Sequence, residues 1–173
     1  MSRPRSSRRK VLGLPTLATR LRSLRRQGKR VVFANGCFDL LHVGHVTLLE
    51  RAKRLGDVLI VAINSDRSAR RLKGPSRPIL AQGQRARMLA ALESVDYVTI
   101  FDEPTPYRFI TTLAPDVLIK GADWSAGEIV GSDVVKRRGG RVVRVPLVSG
   151  FSTTKLAQRI ARHAKPRRAP SRV

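Results

Sequence analysis

The sequence predicts an α/β fold in which one doubly wound, parallel sheet of five strands forms a single domain. Five short apolar runs alternate with helical patterns along a chain of 173 residues, 42% of them apolar. Strands that alternate with helices produce a parallel sheet with helices on both faces. This length suits one domain, and the apolar content is sufficient for a real core.

The predicted elements begin with a leucine-rich helix over Thr16–Gln27, which Gly28 follows at a position typical of helix ends. The predicted strands are the apolar runs Arg30–Asn35, Asp57–Asn64, Tyr97–Phe101, Val117–Lys120 and Arg141–Val145. Further helices are predicted at 45–56, Gln82–Leu92, Thr105–Leu113 and Glu128–Arg138, and a last one from Ser152–Thr154 onward. Residues 65–79 contain two prolines and are predicted to be a polar connection.

Three segments are expected to meet at one edge of this Rossmann-like sheet. Ligands of such sheets bind beyond the carboxyl ends of the strands, where the strand order reverses. The segments 35–45, 65–77 and 120–123 follow the first, second and fourth predicted strands. They are therefore the predicted location of a binding site.

The charge of the chain is concentrated at its two ends. There are 35 Lys and Arg against 12 Asp and Glu, a net charge of +23, and neither residues 1–30 nor residues 155–173 contain an acid. Such runs are either solvated or attract polyanions non-specifically. A nucleic-acid-binding module is the alternative from another functional class, but the chain has only 5% aromatic residues and no RNP or zinc-finger motif.

Several protein classes are excluded by the sequence. No apolar run approaches the roughly 20 residues of a membrane span, and the basic start is not followed by the apolar stretch of a secretory signal. One cysteine cannot form an internal disulfide. We therefore expect a cytoplasmic protein.

The densest chemistry lies in the segment NGCFDLLHVGH at 35–45. A strand runs into a turn there, and His42 and His45 flank Gly44 where a helix begins. A helix start offers unpaired amides and the positive end of its dipole, and imidazoles add further donors. This combination favours a polyphosphate ligand and the transfer of a phosphoryl-type group.

Other interpretations of this segment stay open on the residues alone. His42 and His45 could bind a metal with Asp39 or Cys37, or either histidine could be structural. Cys37 could be a nucleophile, although a small buried residue fits the surroundings better. Asp39 could either order the turn or contact a substrate.

The segment also resembles the HxGH signature of the cytidylyltransferase-like nucleotidyltransferases. Linked segments extend the resemblance over about residues 30–162, to the D-glycero-β-D-manno-heptose 1-phosphate adenylyltransferases. These segments are RLKGPSRPI at 71–79, ALESVDYV at 91–98, PDVLIKGADW at 115–124, Ile129–Gly131 and GFSTTK at 150–155.

The resemblance implies that ATP and heptose 1-phosphate give ADP-heptose and pyrophosphate, by in-line attack on the α-phosphorus with Mg²⁺ on the phosphates. It implies catalytic roles for His42, His45 and Lys73. The nucleotide-binding residues that it implies are Asn35, Gly36, Cys37, Phe38, Gly44, Lys120, Gly121, Asp123, Ser152, Thr153 and Thr154. The substrate-binding residues that we expect are Asp39, Asp66, Arg77 and Arg85.

The resemblance covers the central domain and implies an assembly, whereas the two basic ends lie outside the family pattern and are bounded by their charge. We expect a basic segment with a helix at 1–29, a nucleotidyltransferase domain at 30–162 and a basic, disordered tail at 163–173. A homodimer is expected, and so is a stand-alone adenylyltransferase, because the chain has no room for the kinase half of the bifunctional relatives. Glycerol-3-phosphate cytidylyltransferase is the alternative enzyme, and Lys73, Arg85 and Ser152–Thr154 could instead be solvated, ion-paired and capping residues.

Overall fold

The computed structural model describes residues 6–122, 129–146, 148 and 150–163. Its strands are β1 (Val31–Gly36), β2 (Val58–Asn64), β3 (Tyr97–Phe101), β4 (Val117–Gly121) and β5 (Arg141–Val145). Its helices are α1 (Ser7–Lys10), α2 (Leu14–Arg26), α3 (Val43–Lys53), α4 (Asp66–Lys73), α5 (Gln82–Ala91), α6 (Tyr107–Leu113), α7 (Ser132–Arg137) and α8 (Thr153–His163).

The five strands form one sheet in the order β3-β2-β1-β4-β5. Each neighbouring pair is parallel. The chain moves outward from β1 to β3 and then returns to the other side of β1 with β4, so the order reverses between β1 and β4. The predicted fold class is confirmed, and the reversal creates the crevice in which such sheets bind ligands.

Helices cover both faces of the sheet because side chains along a buried strand alternate in direction. Val31 and Phe33 of β1 pack on one face, against apolar side chains of α2, α6 and α7. Val32 and Ala34 pack on the other face, against α3 and α5. All seven residues of β2 are buried, as a strand covered on both faces requires.

The basic amino-terminal segment is packed onto this core. Leu14, Leu17 and Leu21 of α2 are buried against the sheet. The Lys10 ammonium donates to the carbonyl oxygens of Leu92 and Val95, at 3.2 and 2.7 Å. The segment therefore contributes to the same core as the sheet.

The structure corrects the prediction that residues 65–79 are a connection throughout. Residues 66–73 form α4, whose start is capped by the Ser65 hydroxyl accepting from the Ser68 amide at 3.0 Å. A serine cap and an acid in the first turn are helix-start signals, but the charged sequence and the following prolines masked them. The helix packs Ser68 and Ala69 inward.

Other helix ends differ slightly from expectation. Helix α6 begins at Tyr107 rather than Thr105, and the described part of the helix predicted at 128–138 covers Ser132–Arg137. Helix ends commonly shift by one or two residues. No helix in the described part of the chain is both long and apolar enough to span a membrane.

Candidate active site

The loop from Asn35 to His42 lies at the reversal of the strand order. It leaves the carboxyl end of β1, the central strand, and enters α3 at Val43. The carboxyl end of β4, at Lys120 and Gly121, lies on the neighbouring strand. The segments predicted to meet at this edge, after β1 and β4, are therefore on adjacent strands.

His42 and His45 form a stacked pair at the start of α3. Their ring centroids lie 3.8 Å apart with an interplanar angle of 21°, and the Phe38 ring lies 5.1 Å from His45. The Nδ1 atoms of both histidines and the Oδ1 atom of Asn35 are buried without a hydrogen-bond partner. Buried polar atoms are normally paired, so three such atoms on one loop indicate a place where a polar ligand binds.

The surroundings keep both imidazoles neutral near pH 7. Burial lowers the pKa of His42. Burial and the neighbouring His42 together lower the pKa of His45 to about 4. Neutral rings can stack closely without charge repulsion, and each neutral ring still carries one N–H donor.

The His42 ring lies over Gly44 and leaves little room there for a side chain. A Cβ at this position would lie 3.0 Å from Nδ1 of His42 and 3.6 Å from Cβ of Phe151. Phe38, earlier in the loop, has a φ of 44°, in the left-handed region that non-glycine residues rarely adopt. The loop therefore holds a strained backbone, a feature that clusters at functional sites.

The start of α8 lies beside the start of α3. Thr153 donates its hydroxyl to the Leu40 carbonyl oxygen at 3.4 Å. Ser152 caps α8, since its hydroxyl oxygen accepts from the Lys155 amide at 3.1 Å. Two helix amino ends, each with the positive end of its dipole, are thus adjacent at the carboxyl edge of the sheet, which suits an anion.

Asp39 orders the loop. Its carboxylate accepts from the Ile79 and Leu80 amides at 2.8 and 3.0 Å and from Arg77 at 2.9 Å. Burial disfavours the charged form, but these hydrogen bonds and the Arg77 charge outweigh burial and lower the pKa of Asp39. Asp39 and Arg77, two of the four residues predicted to bind substrate, are thus paired with each other.

Arg85 joins the segments that follow β1 and β2. Its side chain is fully buried, with 0% exposure. It donates to the carbonyl oxygens of Cys37, Asn64 and Leu80 at 2.6, 2.9 and 2.9 Å, and to the Asp66 carboxylate at 2.8 Å. Arg85 is thus ion-paired with Asp66, which is partly exposed, and its contact with substrate stays a prediction.

Cys37 lies near positive charges, but its environment does not favour a nucleophilic thiolate. Burial raises the pKa of its thiol, and the charges of Lys73, Arg85 and Lys120 only partly offset that effect. The thiol faces the Asn64 Oδ1 at 3.5 Å. A raised pKa disfavours the thiolate, and the opposing influence of Lys73 and Lys120 on the thiol is consistent with positive charge near the 35–45 loop.

Two of the remaining predicted site residues are exposed to solvent. Lys73 is exposed at the end of α4, and Thr154 is exposed in the first turn of α8. Asp123 lies outside the described residues, as do residues 164–173 of the predicted tail. Sequence reasoning missed Asn64. Its Oδ1 lies 3.5 Å from the Cys37 thiol, and its Nδ2 donates to the Ser68 hydroxyl at 3.0 Å.

The side chains described at this site are poorly suited to bind a metal ion on their own. The described residues contain no group of three or more His, Cys, Asp or Glu side chains that could hold a metal ion. Both oxygens of Asp39 already accept hydrogen bonds. The available donors are instead N–H groups, which suit phosphate oxygens.

Comparison with known proteins supports this interpretation. A model of the cytidylyltransferase-like family matches residues 33–159. The chain is 57% identical over 136 residues to the bifunctional protein HldE of Syntrophotalea carbinolica, which covers 79% of this chain and 28% of that protein. It is 50% identical over 151 residues to HldE of Citrifermentans bemidjiense, covering 87% of this chain and 31% of the relative.

Solved structures show the same fold. The lipopolysaccharide core biosynthesis protein of Thermoplasma volcanium superposes with a TM-score of 0.58 at 30% identity, over 70% of this chain and 98% of that one. A pantoate-beta-alanine ligase from Francisella tularensis gives a TM-score of 0.59 at 18% identity, over 88% and 77%. The chain spans less than a third of the length of the two HldE relatives above.

Proposed function

The chain belongs to the cytidylyltransferase-like family of nucleotidyltransferases, and we propose that it transfers AMP from ATP to D-glycero-β-D-manno-heptose 1-phosphate. The products are ADP-heptose and pyrophosphate. The HldE relatives at 50–57% identity support this substrate pair, as do the linked segments from 71 to 155. A similar solved structure is described as a lipopolysaccharide core biosynthesis protein, which fits a precursor of that glycan.

One observation carries the proposal: the stacked pair His42 and His45, with unpartnered buried Nδ1 atoms at a helix start. ATP offers a row of phosphate oxygens that can accept from both rings. The amino ends of α3 and α8 add the positive ends of two helix dipoles and their amides. These groups together match a triphosphate better than a neutral ligand.

The chemistry needs no covalent intermediate with the protein. An oxygen of the sugar phosphate attacks the α-phosphorus, the bond from that phosphorus to the β-phosphate oxygen breaks, and pyrophosphate leaves with the electron pair. Charge grows on the phosphate oxygens as this happens. Imidazole N–H groups held in place stabilise that charge without rearranging, which is the main catalytic contribution of such sites.

The neighbouring residues have supporting roles. Lys73 and Lys120 bring positive charge to the loop, as their effect on the Cys37 thiol indicates, and we assign Lys73 to the reacting phosphates. Gly36 and Gly44 keep side chains out of the space over the loop. The nucleotide is further held by Asn35, Cys37, Phe38, Lys120, Gly121, Asp123, Ser152, Thr153 and Thr154.

Arg85 and Asp39 act mainly by positioning. Each guanidinium nitrogen of Arg85 donates to a carbonyl oxygen or to Asp66. Asp39 is engaged with Arg77 and two amides. Part of the Asp66 carboxylate stays exposed at the carboxyl end of β2, so Asp66 is the carboxylate of this group that we assign to the acceptor hydroxyls.

Mg²⁺ fits this site as a companion of the nucleotide. The described residues offer no carboxylate cage, and Mg²⁺ commonly keeps waters and binds substrate phosphates with few protein ligands. When bound, the ion neutralises charge on the phosphates. His42, His45 and the helix amino ends would then hold the phosphate oxygens that the ion leaves free.

The test is pyrophosphate release by the full chain, with ATP or CTP as the nucleotide and heptose 1-phosphate or glycerol 3-phosphate as the acceptor. The proposal predicts release with ATP and heptose 1-phosphate, and none when the acceptor is omitted. Activity with CTP and glycerol 3-phosphate, and none with heptose 1-phosphate, would replace it. That outcome is the second candidate, favoured by the description of the matching family.

Assembly and location are further parts of the proposal. We propose a homodimer in the cytoplasm, and non-specific contact of the basic ends with polyanions. The mass of the protein in solution tests the homodimer, since a monomer at working concentration would contradict it. Removal of residues 1–5 and 164–173 tests the contact with polyanions, which should be lost.

A further inference from the structure

A second basic surface lies at the opposite end of the sheet from the candidate active site. Arg25 of α2, Arg30 before β1, Arg138 after α7 and Arg141 at the start of β5 line a cavity of about 380 Å³. We call it the arginine cavity. It lies at the amino ends of β1, β4 and β5, whereas the His42 and His45 pair lies at the carboxyl end of β1.

We propose that the arginine cavity binds a small anion with two or more phosphate groups. The four arginines that line the cavity come from two stretches of the chain, 25–30 and 138–141, which the fold brings together. Guanidinium groups match phosphate oxygens with paired N–H donors. The cavity's volume suits a small molecule such as pyrophosphate or a nucleoside diphosphate.

Most of these arginines are not used by the fold. Within the described part of the chain, the guanidinium groups of Arg30, Arg138 and Arg141 have no hydrogen-bond or ion-pair partner. All three are exposed. They can therefore turn toward a ligand without breaking an existing contact.

Arg25 is the fixed member of the group. It donates to the carbonyl oxygens of Leu113 and Ala114, the latter at 2.5 Å. Ala114 has a φ of 42°, in the left-handed region, at the end of α6. Burial lowers the pKa of Arg25, and Arg138 lowers it further while Asp116 raises it. Arg25 thus lies within electrostatic reach of both the Asp116 carboxylate and the Arg138 guanidinium.

The nearby carboxylates do not neutralise the cavity. Asp116 lines it, but one of its oxygens accepts from the Val31 amide at 2.7 Å. Asp57, next to the cavity, accepts from the Arg30 amide at 2.8 Å and pairs with Lys29 at 3.5 Å. Four arginines against one lining carboxylate leave a positive field that favours a multiply charged anion.

Backbone amide NMR of the full chain tests the proposal with pyrophosphate as the probe. Sodium chloride of matched ionic strength serves as the salt control. We expect two groups of shifting amides: His45 and Gly44 report the candidate active site, whereas Gly139, Gly140 and Arg141 report the cavity. The double variant Arg138→Gln, Arg141→Gln should weaken the second response at least tenfold and leave the first unchanged.

A matched control removes two positive charges elsewhere. Arg20→Gln, Arg87→Gln changes two exposed arginines outside the cavity and should keep both responses. Equal weakening in both double variants would reduce the effect to net charge and overturn the proposal. A shift limited to Gly44 and His45 would also overturn it, and so would cavity shifts seen with a single-stranded oligonucleotide but not with pyrophosphate. Because the probe is followed at each place separately, failure here leaves the proposed reaction untouched.

Discussion

Two groups of polar side chains near the 35–45 loop differ in how they are satisfied. Behind the loop, Arg85 and Asp39 are buried, and their hydrogen bonds go to backbone groups and partner charges. On the loop itself, His42 and His45 have buried Nδ1 atoms without a partner. Polar groups that are fully paired stabilise the fold, and polar groups left unpaired are available to a ligand. We therefore separate a scaffold, formed by Arg85 and Asp39, from a contact surface, formed by the histidine pair.

Arg85→Gln should give the largest effect, and it should be on stability. The substitution leaves several buried carbonyl oxygens, and the partly exposed Asp66 carboxylate, without their partner, a loss that costs roughly 3 kcal/mol. Urea unfolding measures the loss. Arg87→Gln, on the exposed side of the same helix α5, is the control and should change the free energy of unfolding by less than about 0.5 kcal/mol. If Arg85→Gln and Arg87→Gln were equally stable, Arg85 would not be stabilising the fold.

His42→Ala and His45→Ala should show the reverse pattern. We expect kcat to fall by about 10²-fold or more, the usual cost of losing one donor to a transition state, with the free energy of unfolding unchanged or higher. Initial rates of pyrophosphate release measure the first quantity, and urea unfolding the second. His163→Ala, at the exposed end of α8, is the histidine control and should keep the full rate. Near-normal rates in both active-site variants would contradict the role of the pair.

The pH dependence of stability should sharpen the same contrast. The pKa of His45 is about 4 in the fold, against an ordinary 6.5. Between these values the unfolded chain binds the extra proton, so the stability held above pH 6.5 is lost as the pH falls toward 4. We expect roughly 1–3 kcal/mol of this loss between pH 7 and 4.5 to disappear in His45→Ala. Asp39 does not interfere, because its lowered pKa places its own loss at more acid pH. If the parent protein and His45→Ala lost the same stability between pH 7 and 4.5, the neutral, buried state of the His45 ring would be contradicted.

Cys37→Ala should have the smallest effect. The thiol has a raised pKa and only a long contact to Asn64, at 3.5 Å. We expect kcat to stay within about twofold of the parent, since no covalent intermediate forms. Pyrophosphate release under the same conditions measures it. Complete loss of activity, with the fold intact, would instead point to a thiol nucleophile.

Much of the fold could be predicted because its signals are local. The runs at β3 and β5 match the predicted strands residue for residue. Strand β3 is a short, largely buried apolar segment, whereas β5 is a partly exposed edge strand of two arginines and three valines. Helix α4 was missed because five of its eight residues are charged and prolines follow it. Its serine cap at Ser65 was the available signal.

The candidate site could be located from the sequence, but its division into two groups could not. The histidine pair and its glycine are close in sequence, and their spacing identifies a helix start. Arg85 contacts Cys37, which is 48 residues away, and Asn64, 21 residues away. Asp39 meets amides 40 and 41 residues later. Partners at such distances depend on the whole fold, so only the structure shows which polar groups are already satisfied.

A crystal structure with a non-hydrolysable ATP analogue tests the central claim most directly. The account predicts triphosphate oxygens within hydrogen-bond distance, about 3.2 Å or less, of the His42 and His45 rings, with the amino ends of α3 and α8 on the same phosphates. A nucleotide bound elsewhere, or a zinc ion held between the two rings, would contradict it.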